Sequence, residues 1–194
     1  MREVSIPVSA RPWRFYAWLG ALAAVIAITG FWASYFGPLV RGIADAPGII
    51  HLHAAVFVGW ILLVIAQATL AATGRRVLHV RVGYIGMAYG ALVVVVGVIT
   101  AFVFFSERLH SGQNIRGAQI QLFVPLTDLL GFAPFLVAAW FYRHRPEVHK
   151  RLIIVATTVL LIAAVHRIPF FDEHMPERYS ERGIVVCNPY RGAV

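Results

Sequence analysis

The chain has 194 residues, of which 59% are hydrophobic and only 13% are charged, and its mean hydropathy is +0.73. A soluble domain carries about 25% charged residues, so this composition excludes an ordinary soluble globular protein. The formal charge of +8 comes from basic residues in short clusters between apolar runs, a pattern typical of membrane topology and not of a nucleic-acid-binding face. The single cysteine, Cys187, excludes an intrachain disulfide and a cysteine-rich metal site.

Five apolar runs are long enough to cross a bilayer as helices, which takes roughly 20 residues each. In chain order they cover about residues 15–36, 49–72, 80–105, 120–142 and 152–171. The first run is too long for the apolar region of a signal peptide and no small-residue cleavage site follows it, so we expect it to be retained. The sequence therefore predicts an all-α bundle of five transmembrane helices within residues 1–171, followed by a polar extracytoplasmic tail at residues 172–194.

The basic residues between the spans are unequally distributed. The N-terminal segment and the second and fourth connections, which lie on one side of the predicted bundle, hold ten Lys and Arg residues. The two opposite short loops hold three. Because cytoplasmic loops carry the excess of Lys and Arg, this distribution predicts an N-terminus inside and a C-terminus outside.

Four of the histidines within the predicted spans or at their edges form two pairs. His51 and His53 open the second span, and His166 lies near the end of the fifth, all on the predicted outer side, where His53 and His166 lie at similar depth. His79 opens the third span and His149 directly precedes the fifth, both on the predicted inner side. Ionisable groups at membrane depth usually face a bundle interior, a cavity or a ligand. Histidine pairs of this kind are what a b-type cytochrome requires, since the two imidazoles of one pair can fill both axial positions of one haem iron.

The outer pair, His53 and His166, is the better predicted haem site. Asp128 lies in the outer part of the fourth span, where a lone carboxylate is costly unless it is paired. We expect it to hold the far nitrogen of a ligating histidine, as the outer partners of metal-bound histidines do. Alternatively, Asp128 pairs with Arg167 in a purely structural role.

The inner pair, His79 and His149, is the less favoured set of iron ligands, because both residues lie at basic membrane edges where a histidine can simply be interfacial. Gln67 lies 14 residues after His53, close to four helical turns, so the two share a face. Glutamine is a poor iron ligand, but it can hydrogen-bond a cofactor or an inner histidine.

The third span contains four glycines, which let a helix backbone approach a porphyrin or a neighbouring helix. They are Gly83, Gly86, Gly90 and Gly97. Gly86 and Gly90 form a GxxxG pair, for which we favour plain helix packing.

Two stretches resemble motifs of small bacterial membrane proteins of uncharacterised families. In HAAVFVGWILLVIAQATLAATGRRVLHVRVGYIG, a histidine opens one span, Gln-x-x-Leu lies near the end of that span, and a Leu-His motif opens the next span. This chain has valine at Val80 and Val82, where the families tend to have arginine or leucine. RHRPEVHKRLIIVATTVLLIAAVHRI is similar to the companion motif Arg-Pro-x-x-His-Lys-Arg-Leu. A similar layout occurs in the CtaM-type cytochrome oxidase maturation factors. Carried over position by position, the motif residues are His53, Gln67, His79, His149, Lys150 and Arg151.

The resemblance implies a multi-pass protein of the bacterial inner (cytoplasmic) membrane that handles haem. The leading interpretation is a small b-type haem protein, with haem b as cofactor, for electron transfer or for haem and oxidase maturation. The alternative is a non-catalytic accessory subunit of a larger respiratory or photosynthetic complex, with structural or pigment-binding histidines. A transporter is less favoured, because Asp128 is the one acidic residue clearly inside a span and no broken-helix pair is evident. No nucleophile lies beside a base, so we assign no catalytic residue.

Overall fold

The computed structural model describes residues 11–44 and 46–168, with side chains from residue 15 onward. This part of the chain is helical and contains no strand. A π-helical turn (Trp32–Phe36) and the short helix α2 (Gly37–Val40) separate the first long helix from the second. The five long helices are α1 (Arg11–Gly30), α3 (Gly48–Ala72), α4 (Arg76–His110), α5 (Ile115–Phe141) and α6 (Pro146–Val165). The predicted tail at 172–194 lies outside the described residues.

The long helices have the lengths and compositions of membrane spans. Each of α3, α4, α5 and α6 is long and apolar enough to cross a membrane by itself. The first span qualifies only if Phe15–Gly30 and Trp32–Val40 count together, and these two segments are bent by 58° relative to each other. The described chain is thus an all-α protein with four candidate spans, or five if the bent pair is one span. The orientation of the termini stays a prediction.

Helix α4 extends four to five residues beyond the expected span 80–105 at each end, and α5 begins five residues before the expected residue 120. The first and last long helices differ in ways that affect the candidate site. The first was expected to run unbroken to residue 36, but it breaks after Gly30. At this point α1 lies so close to α6 that a Cβ on Gly30 would collide with the carbonyl oxygen of Ala164. Helix α6 begins at Pro146 instead of residue 152 and ends at Val165. His149 therefore lies inside the first turn of α6, and His166 directly follows its last residue.

The long helices form a ring in the order α1, α3, α4, α5, α6, in which α6 closes against α1. Trp60 of α3 fills the centre of this ring. Its side chain packs edge-on against Phe132, with ring centroids 5.2 Å apart, and its Nε1–H donates to Thr157 Oγ1 over 3.2 Å. A buried indole N–H needs such a partner, so this hydrogen bond ties α3 to α6. The surrounding core consists of Val56, Val64, Val93, Val96, Leu136 and Ala156.

Short turns define the two ends of the bundle. The end at which α3 stops and α4 starts is named the His79 end, and the opposite end is named the His53 end. At the His79 end, Gly74 adopts φ +73°, a left-handed conformation that terminates helices at little steric cost. At the His53 end, Asn114 caps α5 by accepting a hydrogen bond from the Gly117 N–H over 2.7 Å.

Candidate functional site

A cavity opens at the His79 end between α1, α3, α4 and α6. It contains about 100 Å³ of accessible space, which is less than the roughly 300–1,000 Å³ of pockets that enclose drug-sized ligands. Its walls are mostly apolar, with aromatic side chains from Tyr16 and Trp60. Its charged, titratable and amide groups are Gln67, His79, His149 and Lys150. This space is named the His79 cavity.

The two histidines of the cavity are held by backbone carbonyls of neighbouring helices. His79 Nδ1 lies 3.2 Å from the carbonyl oxygen of Gln67 on α3. His149 Nδ1 lies 2.8 Å from the carbonyl oxygen of Ala139 on α5. A carbonyl oxygen can only accept, so each Nδ1 carries the proton, and Nε2 of the neutral ring is the nitrogen that can accept or ligate. Metal-bound histidines are oriented in this way, through an N–H donated to a carbonyl or carboxylate.

Gln67 brings an unpaired amide oxygen to the same cavity. Its Oε1 is buried without a hydrogen-bond partner among the described residues. Its Nε2 lies 3.5 Å from the position that a Cβ on Gly83 would occupy. Leaving a buried acceptor unsatisfied costs about 1–3 kcal/mol, so this oxygen is a place where a ligand or a water molecule can donate a hydrogen bond.

The glycines of α4 divide into two kinds. A Cβ on Gly90 would lie 2.5 Å from Leu136 Cδ2, and one on Gly97 would lie 2.9 Å from Leu129, so both positions need glycine for packing against α5. Gly83 lines the cavity instead, and the amide of Gln67 is the one group that its Cβ would approach within 4 Å. The missing side chain of Gly83 therefore leaves cavity space open.

Lys150 is a buried cation in the wall of the cavity. Its side chain is 6% exposed, whereas its ion-pair partner Glu147 is 67% exposed, with 2.5 Å between Nζ and Oε1. The ammonium also lies 4.9 Å from the centre of the Tyr16 ring. From the sequence, Lys150 is only a motif residue and one of the basic residues that predict the topology. Pro146, a residue favoured in the first turn of helices, is the sequence signal that would have placed Lys150 inside α6.

The predicted outer site residues lie at the His53 end, away from the His79 cavity. The ring of His53 stacks on Phe57 with centroids 4.1 Å apart, and its Nδ1 is buried without a partner in the described chain. His166 is exposed, and Asp128 is half-buried and within electrostatic range of it. Whether His53 and His166 face a common ligand stays a prediction.

The alternative role of Asp128, an ion pair with Arg167, is not found in the described part of the chain, where no ion pair joins these two residues. Arg167 instead donates to the carbonyl oxygen of Ala163 over 2.6 Å, and its guanidinium lies 4.8 Å from the centre of the Phe31 ring.

Across residues 11–44 and 46–168, no three His, Cys, Asp or Glu side chains converge on a metal-ion site. Axial ligation of haem by two imidazoles does not need such a cluster. No protein-family model, curated protein or solved structure matches the chain. The resemblance to CtaM-type factors therefore stays an expectation from the motifs.

Proposed function

We propose that the chain is a small b-type haem protein of the membrane, in which His79 and His149 ligate the haem iron within the His79 cavity. The observation that carries this proposal is the pair of Nδ1 hydrogen bonds to backbone carbonyls, because they leave Nε2 of both histidines for a ligand in one cavity. The sequence had favoured the outer pair, whereas this geometry favours the inner one. Bound haem would supply one-electron transfer.

Each group of the cavity has a distinct part in holding such a cofactor. The carbonyls of α3 and α5 fix the ring orientations of His79 and His149, so the ligands are positioned before the cofactor binds. The absence of a side chain at Gly83 leaves space open beside α4. Gln67 Oε1 would accept a hydrogen bond from a water molecule, because iron-bound porphyrin has no N–H group to donate. The apolar walls would lower the polarity around the iron. These features support either electron transfer or the holding of haem during oxidase maturation.

The test is the visible spectrum of the detergent-purified protein from haem-replete cells. We expect a sharp Soret band, with α and β bands on reduction, that His79→Ala and His149→Ala abolish or shift. His144→Ala is the matched control, because His144 is exposed at the same end of the bundle. A spectrum that depends on His53 and His166 would move the haem to the outer site.

A colourless wild-type protein would refute the proposal. It would favour the alternative of a non-catalytic accessory subunit of a respiratory or photosynthetic complex. In that case the same Nδ1 hydrogen bonds have a structural role, since His79 joins α4 to α3 and His149 joins α6 to α5.

We also propose that the protein lies in the bacterial inner membrane with its N-terminus in the cytoplasm and its C-terminus outside. The unequal distribution of Lys and Arg supports this orientation. Reporters fused after Val194 test it, because an enzyme that is active only outside the cytoplasm should work there. Activity only of a cytoplasmic reporter would overturn it.

A further inference from the structure

Two arginines at the His53 end have no part in the proposed function. Arg108 belongs to the last turn of α4, and Arg167 follows the last residue of α6 by two positions. The guanidinium of Arg108 lies 5.6 Å from the centre of the Phe104 ring. That of Arg167 lies 4.8 Å from the centre of the Phe31 ring. A neighbouring aromatic ring thus holds each cation in place at the surface of the bundle.

The two guanidiniums lie within electrostatic range of each other. In the described chain, neither of them forms an ion pair with a carboxylate. Glu107 lies within electrostatic range of Arg108 but is exposed and makes no such contact. His53 lies within electrostatic range of Arg167 and brings no negative charge. Two like charges that lie close together at the edge of a membrane are costly unless an anion joins them.

The lengths of the helices place both arginines at the height of the lipid headgroups. Helix α6 has 20 residues and is about 30 Å long, which matches the roughly 30 Å hydrocarbon core of a bilayer. Arg167 directly follows α6 and therefore lies at the edge of this core. Helix α4 has 35 residues and is about 52 Å long, so its last turn, with Arg108, extends beyond the core at the same end of the bundle.

We propose that Arg108 and Arg167 together bind the phosphate group of a phospholipid from the surrounding membrane. A guanidinium can donate two parallel hydrogen bonds to phosphate oxygens. Arg167 uses one N–H group for the carbonyl oxygen of Ala163, and the rest of its fork can donate to the phosphate. Phe102 on α4 and Ile162 on α6 are exposed and lie about one to two turns closer to the core, where they would contact acyl chains. This apolar surface favours a lipid over phosphate in solution. The inference does not depend on haem.

The experiment titrates the full chain in a neutral detergent with two lipids and counts bound lipids by native mass spectrometry. The lipids are dioleoylphosphatidylglycerol and dioleoylglycerol, which has the same acyl chains without the phosphate. Wild type should bind the phospholipid roughly 10- to 100-fold more tightly, the range expected for one hydrogen bond between charged groups. Arg108→Gln and Arg167→Gln should each remove much of this preference, and the double variant should remove nearly all of it.

Arg116→Gln is the matched control, because Arg116 is an exposed arginine at the same end of the bundle and the change in net charge is the same. It should keep the full preference for the phospholipid. Inorganic phosphate distinguishes the two sources of the phosphate group. It should bind wild type far more weakly than the phospholipid, and equally tight binding would show that the site takes phosphate from solution and would overturn the lipid.

Equal binding of the two lipids by wild type would refute the proposal, and so would an unchanged preference in the double variant. Asp172 and Glu173 follow in the sequence and are the competing anions. If the preference appears only after Asp172→Asn and Glu173→Gln, these carboxylates and not a lipid neutralise the arginines, and the proposal is overturned. Should Arg167→Gln not fold, Arg167→Lys replaces it, which keeps the charge without the fork and should retain part of the preference.

Discussion

Gly83 and Gly90 lie two turns apart on α4, and alanine at these positions should have opposite effects on stability. Replacing glycine by alanine inside a helix stabilises it by up to about 1 kcal/mol. At Gly83 the new Cβ would meet Gln67 Nε2 at 3.5 Å, an ordinary contact, so this gain should persist. At Gly90 it would lie 2.5 and 3.1 Å from the two methyl groups of Leu136 and 3.1 Å from Trp60. Overpacking of this kind costs about 1–3 kcal/mol.

Because the gain in helix propensity is common to both variants, their free energies of unfolding should differ by the overpacking cost of about 1–3 kcal/mol, with Gly83→Ala the more stable. Unfolding in mixed micelles with a denaturing detergent, followed by circular dichroism, measures this difference. A third variant, Gly83→Leu, places a large side chain in the cavity and should prevent the proposed binding of haem while the bundle stays folded. Equal destabilisation by alanine at Gly83 and Gly90 would show that Gly83 is a packing position and would refute the open cavity.

Two further predictions concern the core and the cavity. Thr157→Val should lower the free energy of unfolding by about 1–3 kcal/mol, because it leaves the buried Trp60 Nε1–H without its acceptor. The same change at the exposed Thr158 is the control. Equal effects of the two substitutions on thermal unfolding would contradict this reasoning. Cysteines replacing His79 and His149 should be joined by a short bifunctional maleimide in a variant without the native cysteine, because both positions line one cavity. A pair from opposite ends of the bundle should not react, and failure of the first pair to cross-link even with long reagents would count against a shared cavity.

The sequence predicted the helices well because a membrane span needs little beyond an uninterrupted apolar run of the right length. Helix α3 matches its predicted span to within one residue, and α4 and α5 contain or nearly contain theirs but begin four to five residues earlier. The bend after Gly30 was not predictable in the same way. It occurs where α1 meets the backbone of Ala164 on α6, a contact between residues far apart in the chain. Gly37-Pro38, the stronger local signal, follows the bend and belongs to α2.

The site was harder to predict because its chemistry depends on backbone atoms. The sequence showed His79 and His149 near one end and Gln67 near them, but it could not show which carbonyls accept from the two imidazoles. Basic neighbours made both histidines look interfacial. Lys150 was expected in the connection before the fifth span, because that span was expected to start at residue 152, whereas α6 starts at Pro146 and includes it.

The order of the helices around the ring has a consequence for biosynthesis. The cavity wall combines Tyr16 near the start of α1 with His149 in α6, and these two helices become neighbours only when α6 closes against α1. While the ribosome is still making α5, one side of the cavity is missing and one of its two histidines has not been synthesised. The cavity is therefore complete only after translation of the last helix, and only a fully assembled chain would surround a ligand on all sides.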